Sequence, residues 1–276
     1  MHNKSLMARL MAAPHVVWSV LFILAPLAFV FYYAFTDKTG AFTLNNVKEL
    51  GSASYLDIFT RSLCFALAAT AICLLVAYPL AYAISRAKPR SQKICIMLTM
   101  LPMWMNFLIR TYSIMAILED TGFLNSLLGR IGLPPLHIIN TGGAVIFGMV
   151  YNYLPYMVLP IYTVLSKLDN RLLEASADLG CTPMQTFFKV IMPLSRSGVV
   201  SGVTMVFVPS VSTFYISQKL GGGKFQLIGD VIERQFQSAY NYNLGAAMSL
   251  VLMVLILLSL AVMNRYSDEE EGGLVA

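Results

Sequence analysis

The sequence predicts an all-α, polytopic membrane protein with six transmembrane helices. Its 276 residues are 57% hydrophobic and 12% charged, whereas soluble domains average about 45–50% and about 25%. Stretches without Asp, Glu, Lys or Arg run through 10–36, 62–85, 131–166, 197–218 and 235–264, and 94–118 is interrupted only by Arg110. Crossing the hydrocarbon takes about 20 apolar residues. In the 131–166 stretch, Pro134, Pro135 and the turn from Asn140 to Gly143 delay the helix until near 143. Spans are therefore expected at about 13–36, 62–85, 94–118, 143–166, 197–218 and 243–264, in one transmembrane domain covering 1–276. The first run is too long for a cleavable signal sequence and is expected to remain as a span.

Orientation follows from the basic residues. The link between spans two and three holds Arg86, Lys88, Arg90 and Lys93 and no acid. The link between spans four and five holds Lys167, Arg171, Lys189 and Arg196, and the N-terminus holds Lys4 and Arg9. With six spans these lie on one side, which the positive-inside rule makes the cytoplasm. A multi-pass protein of the cell membrane with both termini cytoplasmic is expected, the acidic 268–271 tail counting little in that rule. Segments 37–61, 119–142 and 219–242 then face outward. In the last, Phe225, Leu227, Ile228, Val231, Ile232 and Phe236 form an apolar face, which either meets an external partner or lies over the spans.

The net charge of +5 reflects this cytoplasmic lysine and arginine and gives no argument for nucleic acid. Cys64, Cys73, Cys95 and Cys181 show no paired spacing and read as free thiols. His2, His15 and His137 are scattered, so no metal site is expected.

The most structured polar stretch is 168–194, LDNRLLEASADLGCTPMQTFFKVIMPL. It reads as two short helices with a break. Asp169 or Asn170 can cap the first, because a short side-chain oxygen accepts bonds from the free N–H groups of the first turn. Gly180 stops it by entering the left-handed C′ position. Thr182, with Pro183 at N1 and Gln185 at N3, opens the second through a capping box, and Pro193 is expected to end it. The pair presents Glu174, Ala175, Ser176, Phe187 and Phe188 to a partner in the cytoplasm. These residues resemble the EAA loop of ATP-binding-cassette (ABC) importer permeases: Glu-Ala-Ala, three residues, Gly, nine residues, Ile-x-Leu-Pro. Glu174, Ala175, Gly180 and Pro193 match in identity and spacing; Ser176 replaces the second Ala, Val190 the Ile and Met192 the Leu.

Polar and aromatic residues gather in three spans. Arg110 lies 16 residues into the third span, roughly 24 Å along a straight helix, and Asn106 four residues earlier shares its face. An intramembrane arginine should face protein or water; here it orients spans or binds a carbonyl. In span four, Tyr151, Pro155, Val158 and Tyr162 form one stripe, with Asn152, Tyr153, Tyr156 and Pro160 nearby. Two prolines should loosen that helix. Span five carries Pro209, Ser210, Ser212, Thr213, Phe214 and Tyr215. These stripes serve either packing or a path for an organic cation, since Tyr and Trp faces attract ammonium groups by roughly 0.5–2 kcal/mol. Trp104, Asn106, Tyr112, Tyr151, Tyr153, Tyr156, Phe214 and Tyr215 are the candidate path, with Glu119 and Asp120 at its outer mouth.

The run Pro102-x-Trp104-x-Asn106-x-Leu108-Ile109-Arg110-x-Tyr112, with Leu124-Asn125, Pro155-Tyr156-Met157-Val158 and Gly221-Gly222, resembles the PotB-type permeases of spermidine/putrescine importers. The resemblance implies the type I importer (MetI-like) fold. It also implies four kinds of partner: a second permease in a heterodimer, two cytoplasmic ATPases holding ATP and Mg²⁺, an external binding protein, and the lipid membrane. Glu174 would contact the ATPase. No cofactor is expected on this chain, which lacks a Walker lysine motif. A membrane enzyme would need paired carboxylates, a Ser/His/Asp set or a His/Cys cluster at membrane depth, and an ion-driven transporter would need buried acids and inverted repeats; neither pattern is visible. Related importers of phosphonate, ferric iron or thiamine are the alternative.

Overall fold

The computed structural model describes residues 13–271. Lys4, Arg9 and His2 lie outside the described residues, as do the side chains of the acidic 268–271 stretch. The described residues are helical apart from turns and one isolated antiparallel bridge, Thr36 to Phe42. Four helices are long and apolar enough to cross a membrane: α1 (Ala13–Ala34), α3 (Ala53–Ser85), α7 (Gly142–Leu165) and α13, whose apolar part is Tyr242–Met263 of Tyr242–Glu271. Between them lie α2 (Asn45–Glu49), α4 (Pro89–Met100), α5 (Phe107–Leu118), α6 (Phe123–Arg130), α8 (Asn170–Asp178), α9 (Pro183–Leu194), α10 (Arg196–Val211), α11 (Tyr215–Leu220) and α12 (Ile228–Gln237).

Two expected spans are broken helices. Instead of one helix over 94–118, α4 runs into a 3₁₀ turn at Leu101–Trp104 and the chain bends by 96° before α5. Pro102 has no N–H to continue the α4 ladder. The Asn106 side chain then accepts from the N–H groups of Leu108 (2.8 Å) and Ile109 (3.4 Å), so it starts a new helix rather than sharing a face with Arg110. The straight-helix distance to Arg110 therefore does not apply. The expected helix over 197–218 stops at Val211 and resumes as α11 after Ser212–Phe214. By contrast, α7 stays helical through Pro155 and Pro160, and Thr141 caps it through the Ala144 N–H at 3.2 Å.

The chain forms two compact units. One comprises the described part of Met1–Asp57 together with Val231–Leu255. There the Asn46 and Asn243 amides both donate to the Thr36 carbonyl, at 2.9 and 2.7 Å, closing off the carbonyl end of α1. In the apolar 18-residue window of α1 no residue is buried.

The other unit comprises Ile58–Asp230 and the chain from Ile256 onward. Its core surrounds α7, 56% of whose window is buried. Ala69, Cys73, Ala77 and Ala81 of α3 recur every four residues and present one small-residue stripe to this core. Helix α10 packs closely along α7. Gly198 and Gly202 face α7 so closely that a Cβ on Gly198 would lie 2.9 Å from the Pro160 carbonyl oxygen. Small residues four apart are how membrane helices bring backbones together when hydrophobic exclusion adds nothing between them. Leu227 and Ile228, from the predicted outward apolar face, are fully buried, and the Ile228 N–H donates to Ser62 Oγ at 2.8 Å. All four cysteines remain thiols.

Candidate functional site

The 168–194 stretch folds as two arms around Gly180. Asp169 caps α8 through the Arg171 N–H at 2.9 Å. At the other end Gly180 takes φ +79°; its N–H donates to the Ala177 carbonyl and the Cys181 N–H to the Ser176 carbonyl. That pair of bonds is the Schellman arrangement, which closes a helix only with a left-handed C′ residue. Two residues on, Thr182 and Gln185 bond reciprocally at 2.9 and 3.3 Å, and Pro183 sits at N1. Local chemistry therefore builds both the stop and the restart.

Tertiary contacts then decide which residues the arms present. Glu174, Ala175, Thr182, Pro183 and Phe188 are exposed. Ser176, expected on the presented face, is 5% exposed. Its hydroxyl donates to the Leu173 carbonyl and lies 2.9 Å from Thr186 Oγ1, tying one arm to the other. Phe187 also turns inward, packing edge-on against Tyr78 at 5.5 Å and Tyr82 at 6.0 Å of α3. Pro193 does not end the second helix. A π-turn over Phe187–Ile191 precedes it, and Pro193 becomes the second residue of one more turn, Met192–Leu194. The wider π-turn relieves the ladder just where proline cannot donate. The real corner is at Ser195, where α9 and α10 meet at 65°. Ser195 is fully buried, and its hydroxyl lies 2.6 Å from Tyr78 OH. At the other end, Arg86 Nη1 donates to Asn170 Oδ1 at 2.7 Å. The loop is thus fastened to α3 at Tyr78 and to Arg86 just past its end, and is continuous with α10. A cavity of about 900 Å³, mostly apolar, lies between α3 and the α9–α10 corner, lined by Tyr78, Pro79, Phe187, Phe188, Met192 and Arg196 among others.

The candidate path residues divide. Tyr112 and Tyr215 meet edge-on with ring centres 6.0 Å apart, and Phe107 lies 6.0 Å from Tyr215. Tyr153 and Tyr156 form a second pair at 6.4 Å. Tyr153 is buried and its hydroxyl donates to the Pro209 carbonyl at 3.4 Å, which ties α7 to α10. Trp104, 78% exposed, and Tyr151 join neither pair among the described residues. The stripe from Tyr151 to Tyr162 is not one surface: Pro155 and Val158 are buried, and Tyr162 donates to Gln92 at 3.1 Å. Phe214 is exposed in the break before α11. Arg110 is 6% exposed and its Nη1 donates at 2.9 Å to the Pro102 carbonyl, which also accepts from the Met105 N–H at 3.2 Å, so it braces the bend. Glu119 is exposed at the end of α5, and Asp120 lies 2.9 Å from His137 Nδ1.

Sequence reasoning missed Lys219. Its ammonium stands 5.4 Å from the Tyr112 ring centre and 5.7 Å from that of Tyr215. The available signal was its position as the first cation after the charge-free 197–218 run. It also missed Tyr78 and Ser195, whose pairing spans 117 residues and leaves no local trace. Among the described residues, no group of three or more His, Cys, Asp or Glu is arranged to hold a metal ion.

Residues 5–269 match the family described as "Binding-protein-dependent transport system inner membrane component". The chain is 39% identical over 256 residues to the spermidine/putrescine transport system permease protein PotB of Haemophilus influenzae, covering 90% of each chain. It is 37% identical to PotB of Escherichia coli over 258 residues, covering 91% of this chain and 94% of that one. The inner membrane ABC transporter permease protein YdcU of Escherichia coli is 31% identical, with 85% and 80% covered. Among solved structures, a bacterial ABC transporter involved in import of the acidic polysaccharide alginate superposes with a TM-score of 0.74. It covers 97% of this chain and 96% of its own at 17% identity, a likeness of fold. With a family match along almost its whole length, a multi-pass helical architecture and relatives that are transport permeases, the chain belongs to the inner-membrane components of binding-protein-dependent transport systems.

Proposed function

We propose that this chain is a membrane-spanning permease subunit of an ABC importer for polyamines, spermidine or putrescine, delivered by an external binding protein. The observation that carries this reading is the similarity, over 90% or more of the chain, to permeases named for spermidine and putrescine transport. The exposed Tyr112 and its partner Tyr215 supply aromatic faces of the kind that attract ammonium groups. The loop from Asp169 to Leu194 receives the motion of a cytoplasmic ATPase through Glu174, Ala175 and Phe188. That partner binds ATP and Mg²⁺ and does the hydrolysis. The complex has a second, similar permease and two ATPase subunits, sits in the inner membrane, and keeps both termini of this chain in the cytoplasm.

The direct test is to purify the chain with its neighbouring gene products, reconstitute the complex with its binding protein, and measure ATP hydrolysis against a panel of solutes. Spermidine or putrescine should stimulate hydrolysis severalfold. Stimulation by a phosphonate, ferric iron or thiamine, with none by polyamines, overturns the substrate assignment.

Orientation has its own test. In a variant without native cysteines, a Lys224→Cys probe should react with an impermeant thiol reagent added outside, and Ser91→Cys should react only after permeabilisation. Both positions are exposed. Gly222 is unsuitable for the outer probe, because a Cβ there would collide with the Asn140 side chain. Outside labelling of Ser91→Cys reverses the topology.

A further inference from the structure

The cation seen against the Tyr112 and Tyr215 rings belongs to the protein itself. Lys219 lies in the last turn of α11, is half-buried, and places its ammonium over both rings, 5.4 and 5.7 Å from their centres. The rings come from different elements, Tyr112 from α5 and Tyr215 from the first turn of α11. They stand nearly perpendicular, at 85°. Two tyrosine faces converging on one ammonium are the essential parts of a site for an alkylammonium ligand. Tyr112 is exposed, so the site can be reached from solvent. A lysine side chain ends in a primary ammonium on a four-carbon stem, the same chemical end-group and spacer that a polyamine carries.

We infer that Tyr112 and Tyr215 form a cation site which Lys219 fills in the absence of solute, so that an incoming alkylammonium must displace an internal competitor. This rests on the polyamine reading above and adds a consequence that reading does not contain. Lys219 keeps the site occupied, lowers its affinity for the solute, and so keeps a passing cation from being retained. An ammonium that enters pushes the Lys219 stem aside, and Lys219 returns when the solute moves on. Affinity is set by competition, because a site already holding a cation is available only for the fraction of time that cation is away.

The experiment measures equilibrium binding of radiolabelled spermidine, and separately of tetramethylammonium, to the purified full complex in lipid nanodiscs without binding protein. Tetramethylammonium has no hydrogen-bond donor, so it reports attraction to the rings alone. Lys219→Met keeps the length and apolar stem and removes the charge. It should bind both cations about tenfold more tightly than wild type. Tyr112→Leu or Tyr215→Leu added to Lys219→Met should abolish the gain. Equal affinity in Lys219→Met and wild type overturns the inference. So does a gain that persists after both tyrosines are replaced, which would mean that only charge repulsion was removed. Uptake separates the two readings. A wild-type complex that imports spermidine while Lys219→Met binds no tighter defeats this inference alone. A wild-type complex that imports no polyamine defeats the proposed substrate, and the tetramethylammonium measurement still decides whether the tyrosines hold a cation.

Discussion

Leucine in place of Gly198 is expected to separate α10 from α7 and to remove most of the folded permease. A Cβ at this position would lie 2.9 Å from the Pro160 carbonyl oxygen, 3.0 Å from Val164 Cγ2 and 3.2 Å from Ile161 Cα. Two of these are backbone atoms of a buried helix and cannot rotate away. Pro160 leaves little freedom either, since its ring fixes φ locally. Overpacking of this kind costs about 1–3 kcal/mol, occasionally more, and it falls on a close helix contact of the core. Packing is also what membrane helices chiefly rely on to associate. At Gly202 the Cβ would meet Met157 Sδ at 2.7 Å and the Met157 carbonyl oxygen at 3.2 Å. The thioether can swing clear, so Gly202→Ala should cost less than Gly198→Ala. The measurement is the thermal unfolding midpoint of the detergent-solubilised protein, followed by size-exclusion chromatography after heating. Gly198→Leu with a wild-type midpoint would show that α10 and α7 do not depend on this approach.

Valine at Gly180 is expected to lower solute-stimulated ATP hydrolysis and uptake together while leaving the complex assembled. Nothing lies within 4 Å of a Cβ built there, so crowding plays no part. The cost is backbone strain, because φ is +79° and a β-branched residue is a genuine outlier in that region. Left-handed backbone costs an ordinary residue about 1–2 kcal/mol, enough to give up the Schellman bonds and swing the first arm off the second. Gly180→Asn should be milder, since asparagine enters that region more readily. Glu174→Ala leaves the loop geometry intact and removes one exposed carboxylate. If Glu174 makes a charge-assisted hydrogen bond to the ATPase, its loss costs about 1.5–3 kcal/mol, about ten- to hundredfold in the strength of that contact. Solute-stimulated ATP hydrolysis and uptake should fall together in both variants. Normal values in both, with normal assembly, would make the loop a passive connector.

The parts of this protein legible from its residues are those closed within a few residues of chain. Asp169 bonds two residues ahead, Thr182 and Gln185 bond across three, and Thr141 caps α7 across three. Such bonds are set by residue type and spacing, so the docking loop and the start of α7 could be placed before any fold was known. Long apolar runs were equally plain. What hydropathy could not reveal is whether an apolar run is straight. The stretches 94–118 and 197–218 carry few charges and long apolar runs, yet they bend where Pro102 and Asn106, or Ser212 to Phe214, interrupt the ladder. Sidedness escaped for a related reason. Ser176, Phe187, Tyr153 and Arg110 each have a residue type suited to presentation or to a path, and each is turned inward or committed to a neighbour by packing. Lys219 over Tyr112, and Ser195 against Tyr78, join residues 107 and 117 apart in the chain. Residue type and spacing determined the cap at Asp169, the stop at Gly180 and the restart at Thr182, because those bonds are local. Which faces touch, and therefore which tyrosines hold a cation and which hold the bundle together, was decided by the tertiary structure, because contacts over that distance exist only after the helices have packed.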